Sequence, residues 1–211
     1  MQKKLLDFAA GQGLNLTENA AARLVQYADL VWQKKDMLNL TSVAGKEEII
    51  TRHICDGLVA AAFVARQSAG KTDFSAADMG SGAGYIGLTV AIALPQVQVN
   101  LIESLERRCA FLNWACMKLG LTNVSVENIR LGQQKTMFFD VVTERAMGKI
   151  NDILPLVSPA VKQGGYFAAY QSAQAEANQA LLTRLNMRAG QVISYHLPTE
   201  EKERYLAVFE K

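Results

Sequence analysis

Residues 76–94 read AADMGSGAGYIGLTVAIAL: an aspartate, three glycines at alternate positions, then an apolar run. Two registers compete for this turn. Gly82, Gly84 and Gly87 spell G-x-G-x-x-G, the dinucleotide pattern, while Asp78, Gly80, Gly82 and Gly84 spell D-x-G-x-G-x-G. If Gly82 opened the turn, Asp78 and Gly80 would fall inside a central strand, burying a carboxylate and weakening the strand with a glycine. Asp78 would also face a doubly charged pyrophosphate, against the charge preference that such helix N-terminal sites exploit. Opening at Gly80 removes both costs and leaves Asp78 at the strand's C-terminal end, where open α/β sheets bind their ligands.

A carboxylate in that place suits a ligand with an ammonium and a sulfonium and no phosphate, the description of S-adenosylmethionine (SAM). Glu103 closes the next strand. An acid roughly 20 residues past such a turn accepts hydrogen bonds from ribose hydroxyls. NAD and SAM share an adenosine ribose, so Glu103 marks a nucleoside site without choosing between them. A pair of solvated loop acids is the plain alternative for Asp78 and Glu103, and the spacing of strand, glycines and second acid stands against it.

Around the turn, short β-rich runs alternate with helical ones. Strands are expected near 74–79, 97–103, 123–129, 138–144 and 165–171, with helices over 84–94, 106–119, 147–157 and 174–185. The helix from Glu106 stops at Gly120, a left-handed C-terminal cap. Such alternation implies a parallel, doubly wound sheet. The end differs: QVISYHL, PTEEKE and RYLAVFEK are two strands joined by a short polar turn with no room for a crossover helix, hence an antiparallel hairpin. This α/β arrangement is that of the Rossmann-like class I SAM methyltransferases. The first third is helical, with amphipathic stripes over 18–36 (Leu24, Tyr27, Val31) and 46–66 (Ile50, Ile54, Leu58). The polar stretch 67–73 marks the joint between an N-terminal helical extension, 1–67, and a SAM-binding domain, 68–211.

The chain has 211 residues, half of them apolar, enough for one well-buried core. Its formal charge of +2 neither supports nor excludes RNA, because a basic footprint can be local. Cys55, Cys109 and Cys116 show no Cys-x-x-Cys spacing, so neither a disulfide framework nor a metal site is expected. Asp7 and the early glycines interrupt any signal peptide, and the charge-free stretch 79–102 is broken well short of a membrane span. A cytoplasmic protein is the expectation.

Beyond the turn, "NLTSV" from Asn39, "RHICDGL" from Arg52, "LIESLERRCAFLNWA" from Leu101, "GLTNVSVENIR" from Gly120, "FDVVTERA" from Phe139 and the closing "RYLAVFEK" occur in the order and spacing of one family. The chain resembles the RsmG (GidB) 16S rRNA methyltransferases, over nearly its whole length. The resemblance implies transfer of a methyl group from SAM to N7 of a guanine, with 16S rRNA or the small ribosomal subunit as partner. A monomer with no membrane and no metal is the expectation. By position the resemblance puts SAM against the turn glycines Gly80, Gly82 and Gly84, Tyr85, Glu103, the backbone at Leu131 and Gly132, and Arg145. Three positions depart from the family's habit: Ile86 stands for proline, Gly132 for glutamate and Tyr170 for lysine.

Guanine N7 carries an exposed lone pair, so no base need remove a proton. The sequence has neither the Asn/Asp-Pro-Pro-aromatic tetrapeptide of amino-directed enzymes nor the Pro-Cys pair of cytosine C5 enzymes. Arg145, in the loop after the fourth strand, is the expected contact to SAM or target base. Arg52, His53 and Asp56 share one helix face; they offer either RNA contact or an ion pair of Arg52 with Asp56 that locks the helices to the sheet. Arg107 and Arg108 are candidates for rRNA phosphates. Trp32 and Trp114 sit on apolar faces and read as core. Three alternatives stay open: the same fold acting on a small molecule or protein, an NAD-binding oxidoreductase, and a ribosome-binding protein without catalysis.

Overall fold

The computed structural model describes residues 1–133, 137–173 and 177–211. Seven strands form one sheet in the order β3-β2-β1-β4-β5-β7-β6. They are β1 (Ser75–Met79), β2 (Gln98–Glu103), β3 (Val124–Asn128), β4 (Phe139–Glu144), β5 (Val161–Gln171), β6 (Arg188–His196) and β7 (Glu203–Glu210). The first five run parallel; β7 lies antiparallel between β5 and β6. The expected doubly wound sheet with a closing hairpin is therefore the observed one. Because the chain steps outward from β1 to β3 and then returns to β4 beside β1, a crevice opens at the C-terminal ends of β1 and β4.

Both faces of the sheet are covered, as a parallel sheet requires. Ala76, Val99, Leu101, Ala168 and Val208 join a core with α2 (Glu18–Leu38), α4 (Cys55–Ser68), α5 (Gly87–Ala93) and α6 (Glu106–Leu119). Their strand neighbours Ala77, Ile102, Phe167, Ala169 and Phe209 join a second core with α7 (Ile150–Val157) and α8 (Gln179–Arg184). This alternation is the period-2 signature of the strands. Trp32 and Trp114 are half-buried against the first core, with Lys35 and Lys34 over their rings.

Several bounds move. A further helix, α1 (Gln2–Gly11), buries only Leu5 and Ala9, too little periodicity to stand out. The helix expected from 84 starts at Gly87, since Gly84 takes φ +87°, outside any right-handed helix. The helix expected over 174–185 is α8, beginning at Gln179; residues 174–176 lie outside the described ones. The helix expected over 46–66 is α3 (Lys46–Glu48), a π-helical stretch (Ile49–Ile54) and α4 in continuous succession. That π stretch decides where the next residues point.

Candidate active site

Gly80, Gly82 and Gly84 take φ of +67°, +58° and +87°, a left-handed region closed to most side chains. At Gly80 a Cβ would also run into Met147, and at Gly84 it would come within 2.7 Å of Leu112 and 2.8 Å of Leu88. Gly82 is different: a Cβ there would find only the Gly80 carbonyl, at 3.9 Å, so its open face leaves room for a ligand. The turn is held from both sides. Glu103 Oε2 accepts from Gly82 N at 2.9 Å, and Tyr27 of α2 donates its hydroxyl to the Ala83 carbonyl at 2.7 Å.

Asp78 ends β1 almost fully buried, yet lines the cleft over the glycines. Its Oδ2 accepts from Gly87 N at 3.0 Å and its Oδ1 from the Thr143 hydroxyl at 3.2 Å. Burial pushes the carboxyl up to about 6, against the pull of those hydrogen bonds and of Arg145. Glu144, within the FDVVTERA stretch, closes β4 beside it. Burial pushes its carboxyl up to about 7, while Met147 N donates to it at 2.5 Å.

Arg145 follows Glu144 and lies where two clefts meet. With Ala146 it lines the cleft over the glycines, which encloses about 170 Å³, and a second one of about 370 Å³ beyond β4, β5 and the hairpin. Its Nη1 donates to Asp56 Oδ2 at 2.8 Å and meets His53 Nδ1 at 3.3 Å. Its guanidinium carbon sits 5.2 Å from the centre of the Tyr85 ring, on which His53 also stacks at 4.3 Å. Burial, then Arg145, Arg52 and Arg204, pushes His53 down to about 3, so the ring is neutral at physiological pH. An arginine only donates, so Nδ1 is the acceptor and Nε2–H donates to Thr41 Oγ1 at 3.1 Å.

The expected pairing of Arg52 with Asp56 does not occur. Arg52 Nε meets Glu200 Oε1 at 2.7 Å and its Nη1 meets Glu48 at 3.4 Å. Asp56 has no exposed side-chain surface and is shared by Arg145, Arg204 at 3.1 Å and the Tyr195 hydroxyl at 2.7 Å. The reason is the π-helical stretch between Glu48 and Cys55. Each residue it adds to a turn rotates the succeeding helix by roughly 100°, which carries Asp56 off the Arg52 face and into the interior. Direct RNA contact by Asp56 is thereby corrected to a buried anchor for Arg145, with His53 beside it.

Of the residues expected at SAM, Asp78, Gly80, Gly82, Tyr85 and Arg145 line the cleft over the glycines, together with Leu40, Ile86 and Arg108. Glu103 lies just behind it, 4% exposed, its Oε1 also accepting from Leu105 N at 2.9 Å and its Oε2 3.7 Å from Arg108. Gly84 is turned to Leu88 and Leu112. Leu131 and Gly132 form a turn that packs toward α7, with Gly132 at φ +91°. Arg107 is exposed, and Tyr170 donates its hydroxyl to the Asp56 carbonyl at 2.6 Å. The roles of Arg204 and Tyr195 were not legible in the sequence, because their partner Asp56 lies 148 and 139 residues away.

The residues present fit SAM. Each Glu103 oxygen keeps a lone pair beyond its amide bond, the open face of Gly82 lies next to it, and the Asp78 carboxylate faces the same space.

A family model described as rRNA small subunit methyltransferase G (GidB) matches residues 20–207. The chain belongs to this family. A ribosomal RNA small subunit methyltransferase G of Carboxydothermus hydrogenoformans is 32% identical over all of this chain and 92% of its own. That of Listeria monocytogenes serovar 1/2a is 32% identical over 96% of this chain and 87% of its own. Solved structures show the shared fold. A mutant of MtNAS in complex with S-adenosylmethionine aligns at TM-score 0.57 and 14% identity, covering 92% of this chain and 76% of its own. A precorrin-6y C5,15-methyltransferase of Geobacter metallireducens aligns at 0.54 and 15%, covering 72% and 87%. The sheet is thus a class I methyltransferase sheet, and the GidB membership removes the NAD-binding alternative.

Proposed function

We propose that this GidB-family methyltransferase transfers a methyl group from SAM to N7 of a guanine in 16S rRNA, as the free RNA or within the small ribosomal subunit, in the cytoplasm. The observation that carries the reading is the Asp78 carboxylate at the open end of β1, above a glycine cradle and joined through Arg145 to a second cleft. When bound, SAM supplies a methyl group on a positively charged sulfur. Asp78 favours that charge, Glu103 has lone pairs for the ribose hydroxyls, and the glycine turn admits the backbone-close approach.

Arg145 is held by Asp56 and His53, and its Nε–Nη2 edge has no partner among the described residues. This edge is a fixed fork at the meeting of the clefts, suited to a carboxylate or a base edge. N7 attacks with its own lone pair, so the chain contributes placement rather than proton transfer. Alignment of this kind supplies up to about 7–11 kcal/mol of a displacement barrier. Arg108, beside Glu103, and the exposed Arg107 stand at the rim as candidates for RNA phosphates.

Calorimetry with S-adenosylhomocysteine and with NADH should show binding of the first alone. Mass-spectrometric mapping of 16S rRNA from a deletion strain should lack one N7-methylguanosine, which the restored gene returns. An unchanged map would sink the rRNA assignment.

A further inference from the structure

Methyl transfer by itself leaves most of the second cleft unexplained. In its walls Asp56, Arg204, Glu200, Tyr170 and Tyr195 spend their hydrogen bonds on one another: Arg204 reaches Glu200 at 2.6 Å and Asp56 at 3.1 Å, and both tyrosine hydroxyls end on Asp56. Three other lining side chains do not. Gln171 at the end of β5, Ser172 after it, and Lys202 on the turn between β6 and β7 make no side-chain hydrogen bond among the described residues. They come from two neighbouring segments, the end of β5 and the turn leading into β7, and line the same cavity as Arg145.

A cation, a hydroxyl and a carboxamide converging on one cavity call for a ligand with an anionic, acceptor-rich part and a planar polar part. The two acids in the wall do not oppose this, because Asp56 is neutralised by Arg145 and Arg204, and Glu200 by Arg204 and Arg52. We propose that this cleft seats one nucleotide of the RNA substrate, its phosphate on Lys202 and Ser172 and its base edge on Gln171. A carboxamide sets a donor beside an acceptor and so matches the paired groups of a base edge. The inference rests on the methyltransferase reading above and adds the residues that hold its substrate.

The test is methylation of small subunits or 16S rRNA by the full-length protein over a range of salt. Lys202→Gln should raise KM several-fold and leave kcat and S-adenosylhomocysteine affinity unchanged. It should also make the fall of log(kcat/KM) with log salt shallower by about 0.7–0.9, the loss of one phosphate contact. Lys202→Arg should restore both. Gln171→Leu should lower kcat/KM about tenfold, the worth of one hydrogen bond, with the salt slope unchanged. A wild-type protein that methylates no rRNA fails the parent reading. A methylating wild type whose salt slope Lys202→Gln shares overturns the nucleotide cleft alone.

Discussion

Two demands on Asp78 favour its ionised form, and burial opposes both. Inside the fold its Oδ2 holds the Gly87 amide and so fixes where α5 starts; toward the cleft, its negative charge is what the proposed cationic ligand would meet. Burial raises the carboxyl to about 6, and Glu144 close by to about 7, so both gain protons as pH falls from 7 toward 5. The pair titrates together, each charge opposing the other's. A ligand with positive charge binds the ionised form, and binding therefore releases protons in this range. SAM affinity is expected to weaken on acidification between about pH 7 and 5, read by calorimetry in two buffers of different ionisation heat. Asp78→Asn should bind weakly throughout with a flatter profile. An affinity independent of pH across this window would show that the carboxylate does not face the ligand's charge.

α4 and α5 approach closely at Gly57, where a Cβ would lie 2.5 Å from the Tyr85 carbonyl and 2.6 Å from Thr89 Cβ. Neither atom can swing aside: one is backbone of the glycine turn and the other belongs to a fully buried residue. Gly57→Ala should therefore cost about 1–3 kcal/mol of stability, by forcing the helices apart. Since Tyr85 carries the stack under Arg145, affinity for S-adenosylhomocysteine should fall with it; a variant as stable as the parent would disprove the contact. Elements were legible in the sequence wherever one face repeats: β1 to β5, α6 with its Gly120 stop, and the closing hairpin all lie close to where patterning puts them. The π-helical stretch was not. Ile49, Ile50 and Ile54 satisfy an α-helical stripe equally well, and the extra residue per turn is fixed by what Asp56 finds in the interior, which is tertiary information.

A chain of alternating charges crosses the molecule: Arg145, Asp56, Arg204, Glu200, Arg52 and Glu48 link the loop after β4, the hairpin and the helices before α4. Asp78, the glycines and Arg145 could be read from local motifs because each sits at a strand's end. The partners that hold them could not, since Arg204 lies 148 residues from Asp56 and Tyr195 lies 139. The N-terminal helices belong to this frame as well. Leu40 lines the cleft over the glycines, and Tyr27, buried in the shared core, reaches across 56 residues to the Ala83 carbonyl inside the glycine turn. Tyr27→Phe keeps the packed ring and removes only that hydroxyl, leaving the carbonyl of a buried residue without its donor. The expected cost is about 1–3 kcal/mol, the penalty for an unsatisfied buried acceptor. Urea unfolding should show it as a lower midpoint with an unchanged slope, and S-adenosylhomocysteine should bind more weakly because the turn proposed to cradle it has lost its outer support. If the variant loses stability but binds as before, the helices brace the fold without shaping the site; if it loses neither, the hydroxyl does not support the turn.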